Sequence, residues 1–174
     1  MWCALKCRRG EEENIMDACR KRIPRETMQD IFVFTYDRLR RYEGEWHMET
    51  KLMFPDYVFL ETDDIQQLSD ELEPYREFVH VLEGSDMLWR VCPQEETFLR
   101  QLCGKAHHLS MSKGYIQDGE THVTRGPLKG LERQIRKIDR HKRIARIEAP
   151  VDFAEESSAL RLPMVAGLEI VSKN

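Results

Sequence analysis

The chain has 174 residues, 41% hydrophobic and 33% charged, with a formal net charge of −4. That is ordinary for a soluble globular protein and leaves room for one medium domain or two small ones. No apolar run is long enough to cross a bilayer, and MWCALKCRRG is too short and too soon charged for a signal peptide, so the sequence reads as cytosolic and cytoplasmic, with no membrane contact. Five cysteines, Cys3, Cys7, Cys19, Cys92 and Cys103, are odd in number and hold no C-x-x-C pair, which argues for reduced thiols.

Trp2 to Lys6 reads as a short strand. Glu11 to Arg22 reads as a helix: Ile15, Ala18 and Cys19 share a stripe, acids open it, Arg20 to Arg22 close it and Pro24 stops it. Asp30 to Tyr36 is rich in β-branched and aromatic residues and predicts a strand. Arg38 to His47, broken by Gly44, reads as a loop or a hairpin excursion carrying a small basic cluster, Arg38, Arg40 and Arg41; a solvated surface is the better reading, contact with DNA the alternative.

Leu52 to Glu61 (LMFPDYVFLE) places large rings on a strand with an irregular start. By alternation Tyr57 and Phe59 face away from Val58 and Leu60. One set packs inward, and the other is a candidate exposed aromatic patch of the kind that partners occupy. Thr62 to Asp64 caps a helix over 65–73, lined by Ile65, Leu68 and Leu72. Strands are expected at 78–82 and 87–91 around a turn at 83–86, and His80 among apolar neighbours reads as structural. Pro93 opens a last helix to about Lys105, with Gly104 as its stop. Residues 107–112, without a period, read as a linker. Cys103, His107 and His108 could be imagined on a metal, but Cys92 is too far for a usual zinc set, and buried thiols with two loop histidines are the better reading.

From residue 113 onward β signals take over. Arg125 to Arg146 reads RGPLKGLERQIRKIDRHKRIAR. Nine Lys or Arg against Glu132 and Asp139 leave +7, so the remainder of a chain at −4 carries −11. Gly126, Pro127 and Gly130 mark a turn. Two alternating runs, Arg133–Ile138 and Lys142–Ala149, are joined by Asp139, Arg140 and His141, with Ile135 and Ile147 inward between polar neighbours. One sign of charge on one hairpin points to a nucleic-acid surface, with a solvated charged face as the plain alternative. Residues 152–158 (DFAEESS) read as an acidic loop. Leu160, Leu162 and Met164 alternate, and Leu168 to Val171 closes the chain.

GPLKGLERQIRKIDRHKRIAR resembles the KOW motif of NusG-family transcription elongation factors, over about twenty residues that include the IDRHKR signature. It is most similar to specialised paralogues that act as processive antiterminators, the LoaP subgroup in particular. FPDYVF resembles the FPGYVFV strand of the NusG N-terminal domain, with Asp56 in place of the family's Gly, a tolerable substitute where φ must be positive. The resemblance implies an α+β N-terminal (NGN) domain over 1–106, an antiparallel sheet with flanking helices, then the linker and a small all-β KOW SH3-like barrel over 113–174. Some members refold that last domain into helices; the Gly and Pro positions favour the barrel.

The resemblance further implies a monomer that docks on the clamp region of bacterial RNA polymerase through Trp2, Phe54, Pro55, Tyr57 and Phe59. A structured element in the nascent transcript would be held by Arg125, Lys129, Arg133, Arg136, Lys137, Arg140, His141, Lys142 and Arg143. No cofactor or metal is expected. No P-loop, nucleophile motif or Ser-His-acid order stands out, so an enzyme is not expected. The alternatives are a ribosome-associated KOW-type RNA-binding protein, or a general NusG-like factor whose KOW domain takes a ribosomal protein or Rho.

Overall fold

A computed structural model of the chain describes residues 1–76, 88–150 and 163–171. Its elements run β1 (Trp2–Lys6), α1 (Glu12–Arg22), β2 (Asp30–Phe32), β3 (Thr35–Tyr42), β4 (Glu45–Leu52), β5 (Tyr57–Glu61), α2 (Ile65–Leu72), β6 (Leu88–Arg90) and α3 (Pro93–Cys103). Then follow β7 (His108–Leu109), β8 (Ser112–Gln117), β9 (Glu120–Arg125), β10 (Ile135–Asp139), β11 (Ile144–Ile147) and β12 (Met164–Ile170). The expected strand at 78–82, its turn, His80, the acidic loop at 152–158, Leu160 and Leu162 lie outside the described residues. Two compact units are distinguished: residues 1–33, 55–76 and 88–96 in one, and 34–54, 97–150 and 163–171 in the other.

In the first unit an antiparallel sheet runs in the order β2-β5-β1-β6. The register sets Val58 beside Leu5 and Leu60 between Cys3 and Ile31. These side chains share one apolar cluster with Ile15 and Cys19 of α1 and Leu68 and Leu72 of α2. Acids open α1 and Arg20, Lys21 and Arg22 close it, in accord with the helix dipole. The Asp64 carboxylate caps α2, accepting the N–H of Gln66 at 2.9 Å and of Gln67 at 3.1 Å.

Asp56 has φ +73°, the left-handed conformation anticipated where the family pattern has Gly. Its N–H donates to the Glu12 carboxylate at 3.0 Å, and its carbonyl accepts from the Cys7 N–H at 2.8 Å. Asp56→Gly is expected to be nearly neutral, because relief of the left-handed strain is offset by the greater entropy of Gly in the unfolded chain. Asp56→Val should cost about 1–2 kcal/mol, a β-branched side chain being poorly tolerated at that φ. Urea denaturation of the two variants checks both values.

In the second unit β3 and β4 form a long hairpin closed by Glu43 and Gly44, whose φ values of +52° and +83° are those a two-residue primed turn needs. The segment that read as a loop or hairpin is therefore the hairpin. The run 30–36 divides at Val33–Phe34, so β2 and β3 belong to different sheets. Within 107–112, read as a linker, β7 pairs in parallel with β3; two residues are too short to show a period. The remaining strands form a sheet ordered β10-β11-β12-β8-β9, antiparallel except for β12 with β8.

Gly167 on β12 lies so close to β3 that a Cβ there would stand 2.1 Å from the Asp37 carbonyl oxygen and 2.4 Å from the Met111 sulfur. Gly167→Val is accordingly expected to destabilise the chain by about 1–3 kcal/mol or more through forced backbone movement, read as a fall in melting temperature.

Candidate nucleic-acid interface

The basic segment is held by its few non-basic residues. Gly126, at φ +100°, passes within 2.6 Å of Ser112 at the position a Cβ would take. The Ser112 hydroxyl accepts the Leu128 N–H at 3.1 Å, and Leu128 is fully buried. Lys129 N–H closes the turn onto the Gly126 carbonyl at 3.1 Å. The Glu132 carboxylate accepts the Val123 N–H of β9 at 3.1 Å. Desolvation would raise that carboxyl, but backbone N–H groups of Glu132, Val123 and Gly130 and the nearby His122 hold it below the usual range. At the β10–β11 turn Asp139 accepts the Lys142 N–H at 2.9 Å. This bond, opposed by desolvation and aided by the Lys142 and His141 charges, lowers its carboxyl too.

The alternation expected along β10 is interrupted. Residues 133–134 belong to a 3-10 turn, and a register shift falls between Ile135 and Lys137, so Arg136 and Lys137 are both exposed. Along β11 the period holds: Ala145 and Ile147 are buried and Arg146 is exposed.

The basic residues divide into two groups. Arg143, at φ +52°, is ion-paired with Glu169, which also binds Lys113 at 2.9 Å, and its guanidinium lies 3.5 Å from the centre of the Trp46 ring. It is among the residues expected to face nucleic acid, and its guanidinium is engaged by Glu169 and the Trp46 ring within the chain. Arg136 is paired with Glu148 at 2.7 Å. Arg125, Lys129, Arg133, Lys137, Arg140, Lys142 and Arg146 are exposed, and no acidic side chain among the described residues pairs with them. His141 is exposed at the turn. Trp46, Lys113 and Glu169 were not singled out from sequence, since their roles depend on the return of distant strands.

The aromatic stretch departs from expectation. Trp2, Phe54 and Phe59 are buried, at 1%, 5% and 1% exposure, so they form no exposed patch; Pro55 is exposed and Tyr57 half-buried. In the first unit the Trp2 ring meets Phe32 edge-on at 5.2 Å, and Phe32 stacks on Phe59 at 6.0 Å. Phe54 meets Phe34 edge-on at 5.6 Å. For Phe59 the physical reason is that β5 is an inner strand between β2 and β1, with Val58, Phe59 and Leu60 all buried.

Residues 1–101 match the model of the family described as Transcription termination factor nusG. This chain belongs to the NusG family. No curated protein matches it. NusG-family proteins are non-enzymatic transcription elongation factors that bind RNA polymerase, and that role applies to this member. The match covers the sheet with β5 and ends before the basic segment. No described helix of this NusG-family chain is long and apolar enough to cross a membrane.

Other candidate residues in this NusG-family chain have structural partners. His108 bridges Thr35 (Nδ1 to Oγ1, 2.8 Å) and Asp37 (Nε2 to Oδ2, 3.2 Å), and the His107 ring stands edge-on to Phe34. With Cys103 they make no metal cluster; among the described residues no group of three or more His, Cys, Asp or Glu is placed to hold an ion. Arg38 and Arg40 pair with Glu49 at 3.3 and 3.5 Å, Arg38 half-buried and Arg40 exposed. Desolvation would raise the Glu49 carboxyl, but the Arg38 hydrogen bond and the Lys51 and Arg40 charges prevail and lower it.

All five thiols are free and buried. Burial pushes Cys3 and Cys19 up to about 11 and Cys7 and Cys103 up to about 12. Iodoacetamide at neutral pH is therefore expected to leave the folded protein unlabelled and to modify it only in denaturant, as read by mass spectrometry.

Proposed function

We propose that this NusG-family protein is a processive antiterminator, a specialised paralogue of the LoaP kind, that ties RNA polymerase to a hairpin in the nascent transcript. The observation that carries the reading is the set of seven exposed cations between Arg125 and Arg146, unpaired with acids among the described residues. Lys and Arg so disposed neutralise phosphates, and a folded RNA is read largely by shape and backbone.

In this reading residues 1–106 dock on the clamp region of polymerase, residues 107–112 mark the functional boundary, and residues 113–174 form a KOW-type SH3-like barrel. Support for a closed sheet comes from Glu132, which precedes β10 and takes an N–H from β9, the strand at the opposite edge. Polymerase contact centres on Pro55 and Tyr57, with the buried Trp2, Phe54 and Phe59 fixing the backbone rather than touching the partner. Once bound, the protein shifts a conformational equilibrium of polymerase, whose chemistry is its own.

Capture of the tagged full-length protein from its native lysate, with and without ribonuclease, tests the proposal. Polymerase subunits should be retained in both samples, and a specific transcript only without ribonuclease. Recovery of ribosomal particles, or of a protein partner with no RNA, would replace this reading.

A further inference from the structure

We propose that Lys137 and Arg146 form a two-cation seat for a backbone phosphate of RNA, the anchor point of the basic surface. The inference rests on the RNA reading above and names the contact within it. Lys137 and Arg146 are direct cross-strand partners in the β10–β11 register. Side chains so paired have Cβ atoms about 4.5–5.5 Å apart, and like charges placed there destabilise a sheet.

Among the described residues neither side chain of the pair is ion-paired with an acid. Arg146 faces Val165 on its other side, across β12, and Val165 carries no charge. Glu148, the residue just beyond β11, is bound to Arg136 at 2.7 Å. The register shift between Ile135 and Lys137 creates the arrangement. The extra residue it places in β10 puts Arg136 and Lys137 both at the surface, so one cation satisfies Glu148 and the other is set against Arg146. A phosphodiester held between the two cations places its single negative charge against both and relieves their mutual repulsion. This contact carries no sequence information and sets the register of the RNA on the sheet. Arg146 was not among the residues expected to touch RNA, and it replaces Arg143, which is held by Glu169 and Trp46.

The test exploits the opposite effects expected on folding and binding. In the full chain, Arg146→Glu turns the repelling pair into an attracting one. Its melting temperature should rise by about 1–3 °C, while affinity for a labelled RNA stem-loop falls at least about tenfold. The double variant Lys137→Glu/Arg146→Glu restores a like-charge pair, so its melting temperature should return to the wild-type value with RNA binding still weak. The milder Lys137→Gln and Arg146→Gln should together reduce the slope of log affinity against log salt by about 0.7–0.9, the share of one phosphate. A wild-type protein that binds the stem-loop while these variants bind it equally well overturns the seat and leaves the RNA reading standing. A wild-type protein that binds no stem-loop overturns both. A melting temperature that falls in Arg146→Glu also overturns the seat.

Discussion

Phe59→Ala is expected to cost about 3–5 kcal/mol of stability, a large fraction of what holds a small domain folded. Tyr57→Ala is expected to leave the melt almost unchanged and to weaken polymerase binding by about 2 kcal/mol, roughly thirtyfold. The two rings sit two residues apart on one strand and point the same way, yet their surroundings differ. Phe59 is 1% exposed, paired with Ala4 on one side and Phe32 on the other, with the Phe32 ring stacked on it. Removing it opens a cavity that neighbours on β-strands cannot easily fill. Tyr57 pairs with Lys6 at the end of β5 and retains solvent access. Urea denaturation together with a polymerase-binding titration separates the effects. A Phe59→Ala protein as stable as wild type, or a Tyr57→Ala protein with undiminished polymerase affinity, would refute the assignment.

The second large effect is that of salt on RNA binding. With Lys137 and Arg146 sharing one phosphate, the seven cations make six phosphate contacts, which predict a slope of about −4 to −5 in log affinity against log salt. Raising salt from about 50 to about 200 mM should then weaken stem-loop binding by up to about a thousandfold, on the order of 4 kcal/mol. The structure grades the basic residues by their pairing. Lys129→Gln should reduce the slope by close to one unit, since no described acid pairs with it. Arg136→Gln should reduce it less, because Glu148 already neutralises that guanidinium. Arg143→Gln should leave the slope nearly intact and lower stability instead, since it removes one of the two cations on Glu169 and the guanidinium over Trp46. Equal slopes for Lys129→Gln and Arg143→Gln would show that internal pairing does not govern RNA contact.

Much of this molecule is written in local sequence. The amphipathic stripe of α1, the Asp64 cap of α2 and the Gly44 turn each follow from neighbours within a few residues, and α1 and α2 stand where those signals placed them, whereas the single strand expected over 30–36 is divided between two sheets. The basic turn was equally legible, because charge and Gly-Pro punctuation are properties of the chain itself. The left-handed Asp56 could be anticipated from the residue type that replaced Gly. Tertiary structure decided which of these residues face outward. A period of two separates the faces of β5 but does not tell that both are covered, and so it could not place Phe59 in the interior; nor does local sequence tell that Trp2 and Phe54 are buried. Nor does charge alone reveal that Glu169, 26 residues along, claims Arg143, or that a register shift sets Lys137 against Arg146. Pairing across strands is a non-local choice, made by loop closure and packing rather than by the propensity of any one residue.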